Sequence, residues 1–373
     1  MKPDQKFIPL MSPNITEADI SAATAVLRSG KLVQGENVEA LECAVAEYLG
    51  ARNVVAVSSG TATLHLSLVA LGIGAGDEVI VPAFSYIATA NVVEIVGAKP
   101  IFVDVERDTF NLDVSQIEPA ITPRTKAIIP VHEFGLACDI SQIAEIARGR
   151  GLFVIEDAAC ALGATEDKKF VGTTGDVGSF SLHPRKAITS GEGGLLTTDD
   201  DELAMKFRVL RNHGIEMRNG RMEFIAAGFN YRMTDFQAAL VLSQFERLEK
   251  NIEAKNNLAE IYLSELGAER NIQLPTVPAG KRHTWQTFHT VVDHKYNRDD
   301  LIEELKTRGV GTNYGAQCIP SQIYYQEKYQ LHCQRLFPNA MRAYKQGLAL
   351  PIYEKLQSSD VYLVAETLRN VLN

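Results

Sequence analysis

The chain has 373 residues, a net charge of −9 at pH 7, and 46% hydrophobic against 22% charged residues. That balance suits a globular protein with a sizeable core and excludes a polybasic nucleic-acid surface. The length points to two domains, or one large domain with a smaller companion. Five cysteines, Cys43, Cys138, Cys160, Cys318 and Cys333, are scattered with no Cys-x-x-Cys pair. This argues against a disulfide framework or a zinc site and for a reducing cytoplasm. The segment from Met1 to Leu10 is too polar for a signal peptide, and no apolar run nears the roughly 18 residues of a membrane helix.

From about residue 52, short apolar runs alternate with helical segments. Strands are predicted over 53–58, 78–82, 100–105, 126–131, 152–156, 177–182 and 194–198, and helices over 61–71, 86–96 and 141–150. In the helix predicted over 61–71, Leu64, Leu68 and Leu71 form one stripe. The strands are apolar on both faces, as expected when helices cover both sides of a mostly parallel sheet. A helix opens near Thr234, where Thr234 and Gln237 form a capping box and Ala238, Leu242, Phe245 and Leu248 give an apolar face. Beyond residue 251 the pattern changes to a strand over 287–292, a helix over 298–308, a short strand over 311–314, and helices over 339–347 and 360–372. The reading is an α/β protein with a large domain over 1–250 and a smaller α/β domain over 251–373.

Polar residues cluster at the predicted strand ends. Ser58-Ser59-Gly60-Thr61-Ala62-Thr63 joins a strand to a helix. Gly60 permits close backbone approach, and the helix start with the hydroxyls of Ser59, Thr61 and Thr63 suits an anion; a plain N-cap turn reads equally well. Gly72, Gly74 and Gly76 imitate a dinucleotide fingerprint but follow a helix and precede a strand, so they read as a helix end and turn. Glu156 and Asp157 close an apolar strand, and alternation sends them to opposite faces. One of them can bind a protonated ring nitrogen or simply be a surface acid. Phe84 or Tyr86, after another strand end, can stack on a planar ring or pack in the core. Lys186 follows the run over 177–182 and precedes a glycine-rich turn. Burial at such a strand exit disfavours the charged form of an amine, and a neutral amine adds to an aldehyde; a surface lysine on a loop is the plain alternative. The eight histidines show no metal-ligand spacing.

Taken in order, these segments resemble the sugar-nucleotide aminotransferases, fold-type-I pyridoxal-phosphate enzymes, from about Pro9 to the C-terminus. The matching pieces include residues 58–64, 77–86, 156–159, 179–186, 189–194, 228–239 and 350–353. The resemblance implies that Lys186 carries pyridoxal 5′-phosphate (PLP) as a Schiff base. Asp157 would bind the pyridinium nitrogen and Tyr86 would stack on the ring. Gly60, Thr61 and Ser181 would hold the phosphate, with Asn230 reaching it from the partner subunit of a homodimer. In one departure, Cys160 stands where the family often has glutamine or histidine near the cofactor hydroxyl, and a thiol is the weaker partner. His183 and Arg185 read as shaping residues.

The reaction implied is transfer of an amino group from L-glutamate to a nucleotide-linked keto-deoxysugar, by way of pyridoxamine phosphate (PMP). A 4-keto-6-deoxysugar is the analogy followed. Lys31, Arg232 and Tyr314 are candidates for the sugar-nucleotide side. A sugar dehydratase on the same fold would have histidine in place of Lys186, and a non-catalytic relative would have lost Lys186 or Asp157.

Overall fold

The computed structural model describes residues 6–372. Residues 1–5, part of the polar N-terminal stretch, lie outside the described residues. A seven-stranded sheet runs in the order Asn53–Val57, Gly194–Thr198, Val177–Ser181, Phe153–Asp157, Thr125–Ile128, Glu78–Pro82, Lys99–Val103. From Val177–Ser181 to Lys99–Val103 every pairing is parallel. Gly194–Thr198 alone runs against its neighbours. The strands Glu78–Pro82 and Gly194–Thr198 are buried at every residue, because the helices Gly60–Ala70, Ala88–Ile95, Ile140–Arg150 and Asp201–Leu210 shield the sheet. Parallel pairing needs long crossovers, and those crossovers put the strand ends that carry the polar motifs on one edge.

The strands predicted over 78–82 and 194–198 are observed with those bounds, and the other main-sheet strands shift by a few residues at their ends. The glycine-rich turn at 72–76 is confirmed as a helix end: Gly72 and Gly76 have φ of 73° and 93°. The Thr234–Gln237 capping box is present. The helix it opens ends at Phe245, and a new helix, Leu248–Leu266, follows a break at Glu246–Arg247. Its buried stripe is Ala238, Val241 and Gln244 rather than Leu242 and Phe245, which are half-buried. Two helices precede the first strand, Glu17–Ser29 and Glu36–Leu49, and both pack on Asp235–Phe245.

A second, antiparallel sheet orders Ile272–Gln273, Phe288–Val292 and Gly347–Leu350. The helices Arg298–Thr307, Pro338–Gln346 and Ser358–Leu372 complete this region. The expected division at 250/251 falls in the first turn of Leu248–Leu266. Leu248 and Ile252 pack with the large-sheet cluster, whereas Leu258, Tyr262 and Leu266 join Phe288, Leu348 and Leu368 in the other. The short strand expected over 311–314 is not formed. Only Asn313 bridges Ala349, because Gly309 and Gly311 hydrogen-bond instead to Ile8 of the N-terminal segment at 2.8 Å each.

Asp19 locks the first helix to this frame. It is fully buried and receives the Arg247 guanidinium at 2.5 and 2.9 Å, the Ser243 hydroxyl at 2.7 Å and the Thr16 amide at 2.7 Å. Burial alone would raise its pKa, but these donors hold the carboxyl well below the usual carboxylate range. Its stabilising contribution is therefore present above the unfolded carboxyl pKa and is lost as the pH falls through the lower folded value. Asp19→Ala strands the Arg247 charge. We expect a loss of about 3 kcal/mol at neutral pH, read as a lower urea midpoint, with the gap to the parent protein closing in strong acid.

Candidate active site

The carboxyl ends of the parallel strands open onto a cavity of about 300 Å³ lined by Gly60, Tyr86, Asp157, Cys160, Ser181 and Lys186, among others. Glu156 and Asp157 take opposite faces of their strand, as alternation requires. Glu156 turns away and is fully buried. It accepts the Gly172, Thr174 and Gly175 amides, each at 2.7 Å, and the His132 Nε2–H at 2.9 Å. The Cys138 amide donates to His132 Nδ1 at 3.1 Å, which fixes the proton on Nε2. Burial would raise the Glu156 pKa, yet His132 and the amides hold it below the ordinary range.

Asp157 lines the cavity. The Thr89 hydroxyl donates to Oδ2 at 2.8 Å and the Ala159 amide to Oδ1 at 3.2 Å. Burial nevertheless pushes its pKa up, with Thr89, the Ala159 amide and the Lys186 charge opposing. A buried acid in this state favours a cation delivered from the cavity. Lys186 is half-buried, and its Nζ donates to Cys160 Sγ at 3.0 Å. The loop that carries it is held by the Lys186 amide bonding His183 O at 2.9 Å and by Gln286 Nε2 bonding Arg185 O at 3.0 Å.

At another edge of the cavity, the Gly60–Ala70 helix begins. Ser59 Oγ caps it, accepting from the Ala62 amide at 3.1 Å. A Cβ on Gly60 would lie 2.8 Å from Ser181 Cβ, so glycine is what lets the helix start close against Ser181. Thr61 is exposed at the cavity. Thr63, expected to contribute a hydroxyl, instead points into the protein, where it donates to Gly60 O at 2.5 Å and pairs with Ser179. The free N–H groups of the first turn and the Thr61 and Ser181 hydroxyls, all at the cavity, could serve as an anion cradle. Of the two aromatic candidates, Phe84 is core, packed near Phe110, Phe134 and His289, while Tyr86 is 64% exposed at the cavity rim.

The cradle, an acid seeking a cation, an amine and an aromatic rim together fit pyridoxal phosphate: an anionic arm, a protonated ring nitrogen, an aldehyde and a flat ring. Asn230, Lys31, Arg232 and Tyr314 do not line this cavity. Asn230 and Lys31 are exposed, Lys31 beside Glu36 at 3.9 Å. Arg232 donates to Asn212 at 2.6 Å, and the Tyr314 ring lies beneath the Arg298 guanidinium, 5.5 Å from its centroid. Sequence reading missed Thr89, Glu133 and Gln286, which do line the cavity. Thr89 follows the Phe84–Tyr86 motif closely enough to have been noticed; no local signal marks the other two.

Comparison with known proteins bears on this arrangement. A family model described as the DegT/DnrJ/EryC1/StrS aminotransferase family matches residues 13–369, and the chain belongs to that family. It is 39% identical to the spore coat polysaccharide biosynthesis protein SpsC of Bacillus subtilis, over 98% of this chain and 97% of that protein. Among solved structures, Spr1654 of Streptococcus pneumoniae, known in PLP and PMP forms, superposes with a TM-score of 0.93 at 30% identity, covering 98% of each chain. PseC of Helicobacter pylori, an aminotransferase involved in the biosynthesis of pseudoaminic acid, gives 0.93 at 25% identity, covering 98% of this chain and 99% of its own. The fold is therefore that of the fold-type-I PLP aminotransferases, and the chain is an aminotransferase. Among the described residues, no helix is long and apolar enough to cross a membrane.

The Cys160 thiol is pushed up in pKa by burial, against the opposing Lys186 charge, while Cys43 is exposed. Thiolate is the reactive form. In the cofactor-free protein near neutral pH, iodoacetamide should label Cys43 well before Cys160, as followed by peptide mass spectrometry.

Proposed function

We propose that the protein is a PLP-dependent sugar-nucleotide aminotransferase that moves an amino group from L-glutamate to a nucleotide-linked keto-deoxysugar, with a 4-keto-6-deoxysugar as the favoured acceptor. The observation that carries this reading is the meeting of Lys186 and Asp157 in one cavity whose remaining edge is an anion cradle. Bound PLP supplies an aldehyde that captures an amine and a ring that accepts the electrons left on the donor's α-carbon. Lys186 would hold the aldehyde, and its Nζ is the group that would carry the proton of the donor's α-carbon. Asp157, positioned by Thr89 and the Ala159 amide, keeps the ring nitrogen protonated. Gly60, Thr61 and Ser181 hold the phosphate, and Tyr86 covers the ring face.

The acceptor class draws support from SpsC and PseC, whose names place them in polysaccharide and pseudoaminic acid biosynthesis. L-Glutamate is the family's implied donor. We further propose a cytoplasmic homodimer in which Asn230 of the partner subunit reaches the phosphate. Asn230 is exposed in the single chain and does not line this chain's own cavity, as that role would have it. Lys31, Arg232 and Tyr314 are retained as sugar-nucleotide contacts.

Lys186→Ala is expected to lower turnover roughly 10³-fold or more, the scale of losing a covalent catalyst, and to abolish the absorbance of the lysine-bound cofactor. The assay supplies L-glutamate with a panel of nucleotide keto-sugars and reads 2-oxoglutarate in step with aminated sugar. A variant that keeps both colour and turnover overturns the assignment. Loss of water from the sugar without net amine transfer points to the dehydratase instead.

A further inference from the structure

A buried carboxyl left out of the scheme above also faces the cavity. Glu133 is 4% exposed, lines the cavity, and its Oε2 has no hydrogen-bond partner. Among the described residues lining the cavity, it is the one whose side chain holds a buried, unpartnered oxygen or nitrogen. Its position is fixed by an unusual turn. Phe134 has φ 57° and Gly135 φ 98°, and a Cβ on Gly135 would lie 2.5 Å from Thr284 Oγ1. The Glu133 amide donates to Asn111 Oδ1 at 2.9 Å, and Phe134 O and Gly135 O accept from the Gln286 and Thr284 amides at 3.0 Å each. The turn thus holds this acid firmly at the cavity wall with one carboxyl oxygen unpartnered.

The shape of the cofactor says which atom would meet that oxygen. In pyridoxal phosphate the aldehyde carbon lies opposite the ring nitrogen, and the phosphate arm and the phenolic oxygen occupy the two edges between them. With the aldehyde at Lys186, the nitrogen at Asp157 and the phosphate at Gly60 and Ser181, the phenolic oxygen would take the remaining edge, the side on which the resemblance sets Cys160, and Glu133 lines the same cavity within electrostatic reach of that thiol. Cys160 already accepts from Lys186 Nζ, and its thiol is a weak donor. We propose that Glu133, as a neutral acid, donates a hydrogen bond from its free carboxyl oxygen to the phenolic oxygen of the cofactor, taking the place that Cys160 fills poorly. The inference rests on the PLP reading above.

The groups facing Glu133 support a neutral form. Burial pushes its pKa up to about 8; the Ser85 hydroxyl opposes, the Asp157 charge adds, and the Lys186 charge and the Phe134 amide oppose. A neutral carboxylic acid has an O–H to give, whereas a carboxylate there would repel a phenolate. Donation to the phenolate stabilises it and so makes the neighbouring Schiff-base nitrogen easier to deprotonate. Glu133 is thereby a positioning and tuning residue for the cofactor.

The test is a spectrophotometric pH titration of the lysine-bound cofactor in the PLP-loaded enzyme. The parent protein is compared with Glu133→Leu and Glu133→Gln, and Glu133→Met replaces Glu133→Leu should that variant not fold. Removing the donor should raise the Schiff-base pKa by roughly one unit, the size of a lost hydrogen bond to a charged oxygen. Glu133→Gln, whose amide still donates, should stay near the parent value. A fall in pKa in the apolar variant means that the side chain acts as a carboxylate and overturns the proposal, as does an unchanged value. A parent protein that develops no lysine-bound absorbance with PLP refutes the cofactor reading itself, an outcome distinct from any shift among variants.

Discussion

One buried carboxylate, Glu156, ties the edge of the sheet together. By accepting three backbone amides from the loop before Val177–Ser181 and the imidazole after Thr125–Ile128, it fixes how neighbouring strands end. Because successive side chains on a strand alternate, anchoring Glu156 below the sheet edge obliges Asp157 to face the cavity. The loop that bears Lys186 then leaves the adjacent strand, and the Gly60–Ala70 helix starts against Ser181. Site geometry follows from sheet geometry here: the cavity opens at the carboxyl ends of the strands, and the polar residues that could meet a ligand are supplied there.

The electrostatics divide along the same line. Glu156 is satisfied by donors and stays charged. Asp157 and Glu133, on the cavity side, carry raised pKa values from burial. Buried acids of that kind are costly unless something arrives to pair with them. On the proposed reading, a ring with a protonated nitrogen and a phenolic oxygen would offer a partner to each.

Much of this arrangement is legible in the sequence. Strands apolar on both faces announce a covered parallel sheet, and the Glu156–Asp157 pair at a strand end can be split by counting residues. Lys186 alone reads as an ordinary loop lysine; the ordered set of motifs around it is what gives it a role. Other features resist local reading. Glu133 sits in a short turn where an acid is ordinarily exposed; the turn is held by Thr284 and Gln286, some 150 residues away in the chain. Thr63 looked like a cavity hydroxyl, but the helix rotates it inward to Ser179. The exposed hairpin pairing Ile215–Arg218 with Arg221–Phe224 carried a usable signal, Asn219-Gly220, both with positive φ. The first helix was also marked, by Thr16 and Asp19 at capping-box spacing, with aspartate in the place usually held by glutamate or glutamine.

The central claim is that one particular amine holds the cofactor. The chain offers a rival, because Lys255 is 4% exposed and burial lowers its pKa. Borohydride reduction of the PLP-loaded protein, followed by peptide mass spectrometry, discriminates the two. The account predicts a phosphopyridoxyl group on Lys186; stoichiometric label on Lys255 or any other lysine, with Lys186 unmodified, contradicts it.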